Sequence, residues 1–374
     1  MLIKEVKYCY NDISIVPAIK SNIEHRSECC PFVIHFGKCC LPIFTAPMST
    51  VVNKENFDLY EENYITPILP RNFDLKTRVE YLQHGKWAAL GLQEFEDLFL
   101  NDDWDFETYP YVNVLIDIAN GHMSKLHDII YYAKTKYKWT PSFSIMAGNI
   151  ANPLSYIELA KAGVDFVRVG IGGGSGCITA SNTGVYYGYA SLIYETYEIK
   201  RKLEQAGKHT PFIVADGGIK NYCDVMKAIG VLGADYVMIG GLFSKLVESA
   251  APTFYYEKDG STHEINPFEH KIEAYSNGTF GIDDESTIDN LHKVFYGMAS
   301  RRGQEDINGE KKKTSEGVEK VFDCTTNLRK WSENMIAYLR SAMSYTNCLY
   351  LDDFNPQNVD GIIISPQTKE SINK

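Results

Sequence analysis

The 374-residue sequence has no run of roughly 18 or more apolar residues, which excludes an ordinary transmembrane helix. Basic residues are in the minority, with 37 Lys and Arg against 48 Asp and Glu, and the net charge of −11 argues against a general DNA- or RNA-binding protein. The amino-terminal stretch MLIKEVKYCYND is too polar for a secretory signal peptide. We therefore expect a cytoplasmic protein with no nucleic-acid or membrane partner.

The C-x-x-C spacing that lets two thiolates hold one zinc ion is also absent, although the chain has nine cysteines. Cys29 and Cys30 are adjacent, as are Cys39 and Cys40, but no pair of histidines completes a tetrahedral set. Without a secretory signal, a disulfide framework is not expected. The sequence favours reduced cysteines over a zinc site.

Eight short apolar runs, each ending in small, polar or charged residues, do occur along the chain. They are residues 41–48, 64–72, 87–92, 112–121, 143–150, 165–174, 211–218 and 235–241. Runs of this kind are typical of strands buried on both faces, and helix-like segments such as 153–164 and 221–234 lie between most of them. The pattern predicts an α/β fold, a (β/α)8 TIM barrel, with a doubly wound open sheet as the alternative.

Two polar segments lie outside this pattern. Residues 251–290 are aromatic and acidic, and we expect an inserted loop there; residues 299–320 are strongly polar and predict a mobile active-site flap. Residues 331–347 have the spacing of an amphipathic closing helix. We expect one catalytic barrel domain over residues 1–374.

Glycine doublets follow the seventh and eighth predicted strands, at Gly217–Gly218 and Gly240–Gly241. In a barrel this corner often binds phosphate, because backbone N–H groups point outward and glycine lets the anion approach closely. Asp216 would repel phosphate, so we assign it to sugar hydroxyls. The alternative is that the glycines only form tight turns.

The stretch GIGGGSGCITASNTG, residues 170–184, follows the sixth predicted strand. Its glycines fit a flexible loop, a phosphate cradle or a mount for a nucleophile. Cys177 on such a turn, near backbone donors, can ionise and act as a thiolate. A buried, inert Cys177 is the alternative.

Eight motifs in order carry a family resemblance over nearly the whole chain. They are YNDISIVP (10–17), RSEC (26–29), TAPMSTV (45–51), GIGGGSGCIT (170–179), VADGGI (214–219), VMIGGLF (237–243), FYGMAS (295–300) and LRSAMSYT (339–346). With these motifs the sequence resembles the IMP dehydrogenase/GMP reductase family. The resemblance independently implies the barrel, and it implies a homotetramer.

The resemblance also implies roles for individual residues. Cys177 would attack C2 of the purine, with Thr179 and the flap residue Glu316 assisting proton transfer. The implied nucleotide-binding residues are Met48, Ser175, Asp216, Gly217, Gly218, Gly240, Gly241, Gly297, Met298, Ala299, Lys313 and Gly317. The implied nicotinamide-cofactor residues are Arg71, Asp117, Ile118, Ala119, Ile171 and Gly172, with Arg26 reaching a neighbouring subunit. The carbonyls of Gly172, Gly174 and Cys177 would hold a potassium ion.

Within the family, three observations favour the reductase, which would convert GMP to IMP and ammonia with NADPH. Only residues 73–86 separate the second and third predicted strands, which leaves no room for the regulatory CBS module of most dehydrogenases. The flap has no tyrosine between Met298 and Glu316, whereas dehydrogenases use an Arg-Tyr pair there to activate water. FYGMAS followed by a short flap also resembles reductases. The alternatives are an IMP dehydrogenase using NAD+ and a non-catalytic nucleotide-binding homologue.

Two departures from the family pattern bear on the substrate. Ser49 stands where the family usually has aspartate, and Gly173 stands where it usually has proline. The extra glycines predict that residues 172–185 are mobile without ligand. A modified or 2′-deoxy purine nucleotide is a further alternative substrate.

Overall fold

The structure, a computed structural model, describes residues 5–35, 37–140, 142–174, 178–256, 261–268, 291–297, 300–309, 317–366 and 368–369. The described strands are Ile13–Ile15 (β1), Val33–His35 (β2), Lys38–Cys40 (β3), Ile43–Thr45 (β4), Ile68–Leu69 (β5), Trp87–Leu90 (β6), Tyr111–Ile116 (β7), Ser142–Ile150 (β8), Phe166–Val169 (β9), Phe212–Asp216 (β10), Tyr236–Ile239 (β11), Thr253–Tyr256 (β12), Thr262–Ile265 (β13), Leu291–Tyr296 (β14), Glu319–Asp323 (β15) and Gly361–Ile363 (β16).

The described helices are Phe57–Glu62 (α1), Leu75–Gln83 (α2), Leu92–Glu96 (α3), Ser124–Lys136 (α4), Ser155–Ala162 (α5), Thr179–Thr183 (α6), Tyr189–Gln205 (α7), Tyr222–Gly230 (α8), Arg301–Asn308 (α9) and Leu328–Tyr345 (α10). Short 3-10 turns lie at Tyr10–Asp12, Arg26–Glu28, Phe243–Lys245 and Leu351–Asp353, and a π-helical turn at Asp97–Asn101. None of the helices in these ranges combines the length and apolar character needed to span a membrane.

Eight parallel strands form the central sheet, in the order β4-β11-β10-β9-β8-β7-β6-β5. The ring closes between β4 and Thr66, two residues before β5: Thr45 N–H donates to the Thr66 carbonyl, and Thr66 N–H donates to the Ile43 carbonyl, each at 3.0 Å. Six of the eight strands lie within the apolar runs of the sequence, and β7 and β8 each begin one residue before theirs, so the predicted (β/α)8 barrel is confirmed.

Side chains alternate between the two faces of the barrel strands, and both faces are buried. Inside the barrel, the Phe44 ring packs edge-on against Trp87 and Phe166, with ring centroids 5.4 and 5.8 Å apart. The neighbouring Ile43 belongs to the separate, larger cluster between the sheet and the helices. This arrangement explains why the strands appear in the sequence as continuous apolar runs.

The two segments outside the barrel pattern contain more regular structure than their composition suggested. Within 251–290, expected as a loop, β12 and β13 are strands; they form a four-stranded antiparallel sheet with β14 and β15, in the order β13-β12-β14-β15. The described part of 299–320 contains the helix α9 and the start of β15. The strands were missed because β12 and β13 have only four residues each, and because β15 pairs with β14 from across the flap.

Candidate active site

A cavity of about 280 Å³ opens at the carboxyl ends of the barrel strands. Its wall consists of residues at or just after the ends of β4, β7, β8, β9, β10 and β11. Phe295 on β14 and Gly297, which follows β14, complete it. Binding sites of (β/α)8 barrels lie at this end, where loops from all strands meet. The cavity is therefore the candidate active site.

Arg168 on β9 is the charged centre of the cavity wall. Its guanidinium lies between two carboxylates: Nη1 donates to Asp117 Oδ1 at 3.0 Å, while Nη2 approaches Asp216 Oδ2 at 2.8 Å. A second bond joins Nε to the same Asp216 oxygen at 3.0 Å. The Arg168 side chain is only 9% exposed, so these ionic bonds are formed largely out of water.

Burial alone would lower the pKa of the Arg168 guanidinium, but the adjacent Asp216 and Asp117 carboxylates outweigh it and raise that pKa above its usual value. Arg168 therefore stays charged and holds both carboxylates in place. Sequence reasoning missed this residue. The available signal was an arginine inside the apolar strand FVRV, because a buried charge requires partners.

Asn149 on β8 fixes Asp216 from the other side. Its amide nitrogen donates to Asp216 Oδ2 at 2.6 Å and to the Gly170 carbonyl at 2.8 Å. The hydrogen bonds described for the Asp216 side chain all end on Oδ2. That leaves Oδ1 as the oxygen suited to accept from a ligand hydroxyl.

Tyr189, at the start of α7, supports the glycine loop that follows β9. Gly173 N–H donates to Tyr189 Oη at 2.9 Å, and the carbonyl of Gly173 accepts from Gly218 N–H at 3.1 Å. A Cβ on Gly173 would stand 2.3–2.6 Å from the Tyr189 ring and hydroxyl. Proline is the usual residue of the family here, but it would lose this N–H and collide with the ring. Gly173 and Tyr189 thus fit each other.

Ser49, the other departure from the family pattern, contacts a carboxylate supplied by another segment. Ser49 Oγ donates to Asp306 Oδ2 at 3.1 Å, and the Tyr296 hydroxyl donates to the same oxygen at 2.8 Å. Asp306 belongs to α9, so this carboxylate joins the described part of the flap to the barrel rim and to β14.

Most predicted site residues that the structure describes do meet at the cavity. Its lining includes Met48, Asp117, Ala119, Ile171, Gly172, Gly174, Thr179, Asp216, Gly217, Gly218, Gly240, Gly241 and Gly297. Ile118 packs against the hydrophobic core instead. Gly317 is buried outside the lining, and Arg26 donates to Ser341 on α10. Six predicted residues lie outside the described residues: Ser175, Cys177, Met298, Ala299, Lys313 and Glu316.

Arg71, one of the residues that the resemblance assigns to the cofactor, lies beside the cavity. Its Nη1 donates to the Asp117 carbonyl at 3.4 Å. Its Nε is buried without a hydrogen-bond partner in the described chain, 3.8 Å from Glu94 Oε2. The Arg71 guanidinium is thus held between the Asp117 carbonyl and the Glu94 carboxylate, beside residues that the resemblance assigns to the cofactor.

The barrel and its rim cavity define the class of protein: a (β/α)8-barrel protein with a small-molecule site at the carboxyl ends of the strands. The sequence model of the IMP dehydrogenase / GMP reductase domain matches residues 111–371. The GMP reductases of Staphylococcus aureus strains Newman, USA300 and JH9 are each 34% identical over 276 residues, 70% of this chain and 80% of theirs. The chain belongs to the IMP dehydrogenase/GMP reductase family. Membership places it among oxidoreductases and implies a nicotinamide cofactor.

Proposed function

We propose that the protein is a GMP reductase, which uses NADPH to convert GMP to IMP and ammonia. The observation that carries the proposal is one cavity in which implied nucleotide residues and implied cofactor residues face each other. Asp216 and the two glycine doublets lie on its β10 and β11 side, and Asp117 lies on its β7 side. A hydride transfer requires both molecules in such proximity.

The glycine doublets suit the 5′-phosphate, because Gly217 and Gly218 have left-handed backbone conformations, with φ of 93° and 76°. Oδ1 of Asp216, to which the described residues donate no hydrogen bond, would accept a ribose hydroxyl, while Arg168 and Asn149 hold the carboxylate. Thr179, the first residue of α6, also lines the cavity. We expect the purine ring to lie toward Thr179, which follows Cys177 by two positions in the sequence.

In the proposed reaction the Cys177 thiolate forms a bond to C2 of GMP, and the exocyclic amine leaves as ammonia with protons passed through Thr179 and Glu316. The nicotinamide supplies a hydride when bound. The C2–sulfur bond then breaks and the thiolate is released with IMP. One hydride and one proton are consumed for each ammonia formed, so the overall reaction balances.

The choice of reductase over IMP dehydrogenase rests on two points. The sequence has no tyrosine between Met298 and Glu316 to form the water-activating pair of dehydrogenases. The Staphylococcus aureus relatives carry the name GMP reductase. Water attack on the covalent adduct would give XMP instead of IMP, so a reductase gains from lacking that pair.

The decisive experiment compares two substrate pairs on the purified protein: GMP with NADPH, and IMP with NAD+. We expect loss of reduced-nicotinamide absorbance and formation of IMP and ammonia only with the first pair. Formation of XMP from the second pair would establish a dehydrogenase instead. NADH in place of NADPH, and 2′-deoxy-GMP in place of GMP, test the cofactor and sugar preferences in the same assay.

The nucleophile is tested by Cys177→Ala, with Cys39→Ala on the exposed strand β3 as the matched control. We expect Cys177→Ala to bind GMP and to have no measurable turnover, while the control keeps wild-type activity. Turnover by Cys177→Ala would refute the covalent route. Binding of GMP by the wild-type protein without any turnover would instead indicate a non-catalytic homologue.

The potassium ion, the homotetramer and the cytoplasmic location belong to the same proposal. Gly172, Gly174 and Cys177 would supply backbone carbonyls to potassium, and turnover measured in potassium against sodium tests this. Side chains offer no alternative site in the described ranges, where no three His, Cys, Asp or Glu residues form a metal-binding group. Light scattering of the purified protein tests the tetramer.

A further inference from the structure

A second cavity lies next to the candidate active site and has a basic lining. Lys220, Lys245 and Lys320 contribute to its wall, together with Phe322. It shares Gly173, Gly174, Ile219, Lys220 and Gly241 with the first cavity. The two cavities are therefore neighbours across the glycine loops that the proposed function assigns to the nucleotide phosphate.

The three lysines come from separate parts of the chain. Lys220 follows β10, Lys245 ends the 3-10 turn after β11, and Lys320 lies on β15. None of these ammonium groups forms an ion pair with a carboxylate in the part of the chain that the structure describes. In a protein with a net charge of −11, three lysines around one cavity form a local positive site.

Phe322 holds one of these lysines in place. Its ring lies 4.8 Å from Lys245 Nζ, a cation–π contact made by two residues of the cavity wall. The Lys245 backbone is also fixed, because its carbonyl accepts from Thr325 N–H at 3.1 Å. Lys245 is thus a positioned cation, in contrast to the exposed side chains of Lys220 and Lys320.

The position of the cavity indicates which anion it would hold. The loops after the seventh and eighth strands of a (β/α)8 barrel are its usual phosphate-binding corner, and Lys220 and Lys245 lie just beyond them. The cavity has about 430 Å³, which is room for more than one phosphoryl group. With the 5′-phosphate bound at the glycine doublets, these lysines would be left to bind the phosphates that follow it in a di- or triphosphate.

We propose that Lys220, Lys245 and Lys320 form a subsite for the β- and γ-phosphates of a purine nucleoside di- or triphosphate. The subsite extends the nucleotide site of the proposed function, on which this inference rests. A nucleoside triphosphate held there would place its base in the active-site cavity and would compete with GMP.

The test is isothermal titration calorimetry with GMP, GDP and GTP at constant ionic strength. We expect GDP and GTP to bind the wild-type protein about a hundredfold more tightly than GMP, because Lys245 and Lys320 would each contribute about tenfold through a charge-assisted contact to phosphate. Lys245→Gln and Lys320→Gln should each weaken GDP and GTP binding about tenfold and change GMP binding by less than about twofold.

Lys208→Gln is the matched control, because Lys208 precedes β10 and so lies at the opposite end of the barrel. It should leave all three affinities unchanged. Equal or weaker binding of GDP and GTP than of GMP, with no effect of the lysine variants, would overturn the subsite. GMP turnover in that case would leave the reductase assignment intact. Lysine-dependent GTP binding without GMP turnover would support the subsite and contradict the reductase assignment.

Discussion

Arg168 and Asp216 are joined by two contacts to one carboxylate oxygen, from Nε at 3.0 Å and from Nη2 at 2.8 Å. Both residues lie at the carboxyl ends of adjacent strands, β9 and β10. The remaining arm of the guanidinium reaches Asp117 after β7. One arginine thus links the carboxylate assigned to the nucleotide with the one assigned to the cofactor.

Replacing Arg168 should destabilise the protein and disable the site. In Arg168→Met the two carboxylates lose their shared partner and remain partly buried, which we expect to lower the free energy of unfolding by about 3–5 kcal/mol. Chemical denaturation measures this. The control is Arg329→Met, because Arg329 pairs with Glu333 on the surface of α10 at 3.0 Å. It should change the free energy by no more than about 1 kcal/mol. Equal effects of the two variants would contradict a structural role for Arg168.

The sequence predicts the barrel well because its strands are buried on both faces and so leave continuous apolar runs. It also predicts that Asp216 and the glycine doublets lie together, and they line one cavity, since residues after parallel strands meet at one edge. It does not reveal that Arg168 bridges two carboxylates, because this depends on side-chain directions across three strands. Nor does it reveal that Ser49 meets Asp306, which is 257 positions away in the chain. The pairings of β12 with β14 and of β14 with β15 are likewise non-local.

Tyr189 and Tyr10 form a matched pair for testing the support of the glycine loop. Their ring centroids are 6.1 Å apart and both side chains are buried. The Tyr189 hydroxyl accepts from Gly173 N–H, whereas the Tyr10 hydroxyl has no partner within the described residues. Burial, followed by the nearby Tyr189, raises the pKa of Tyr10 well above its ordinary value, so it stays neutral.

We expect Tyr189→Phe to lower the free energy of unfolding by about 1 kcal/mol and to weaken GMP binding, because Gly173 N–H loses its acceptor. Tyr10→Phe should be neutral or slightly stabilising, since it removes only an unsatisfied hydroxyl. Thermal unfolding and GMP titration of both variants provide the measurement. Unchanged stability and GMP binding in Tyr189→Phe would show that the hydroxyl of Tyr189 does not support the loop.

Because Ser49 contacts Asp306, we expect the effect of a substitution at Ser49 to depend on the residue at position 306. Ser49→Asp would restore the residue usual in the family, but it would place two carboxylates within contact distance and repel α9. We expect amide hydrogen exchange in residues 301–308 to become roughly fivefold faster, which corresponds to about 1 kcal/mol. Adding Asp306→Asn should restore the wild-type rate. Fast exchange that persists in the double variant would contradict charge repulsion as the cause.

Glu94 lies next to the cofactor side of the cavity, and we expect its contribution to stability to depend on pH. It accepts from Arg78 Nη1 at 2.8 Å, from Arg78 Nη2 at 2.6 Å and from Gly91 N–H at 2.6 Å. Burial alone would raise the pKa of Glu94, but the Arg78 and Gly91 hydrogen bonds outweigh it and hold that pKa below its usual value of 4.5. A carboxylate with a lowered pKa in the folded protein stabilises it above the usual value and loses this contribution as the pH falls through the lowered one.

Glu94→Gln should therefore lower the free energy of unfolding at neutral pH by roughly 1.5–3 kcal/mol, the contribution of hydrogen bonds to a charged group. The difference in the free energy of unfolding between the variant and the wild-type protein should shrink below about pH 4.5. It should vanish in stronger acid, where the wild-type carboxyl is protonated and therefore uncharged, like the amide of the variant. Urea unfolding at a series of pH values measures it. Glu333→Gln, on the exposed surface of α10, should show little loss at any of them. A loss in Glu94→Gln that stays constant into acid would mean that Glu94 acts through packing and not through its charge.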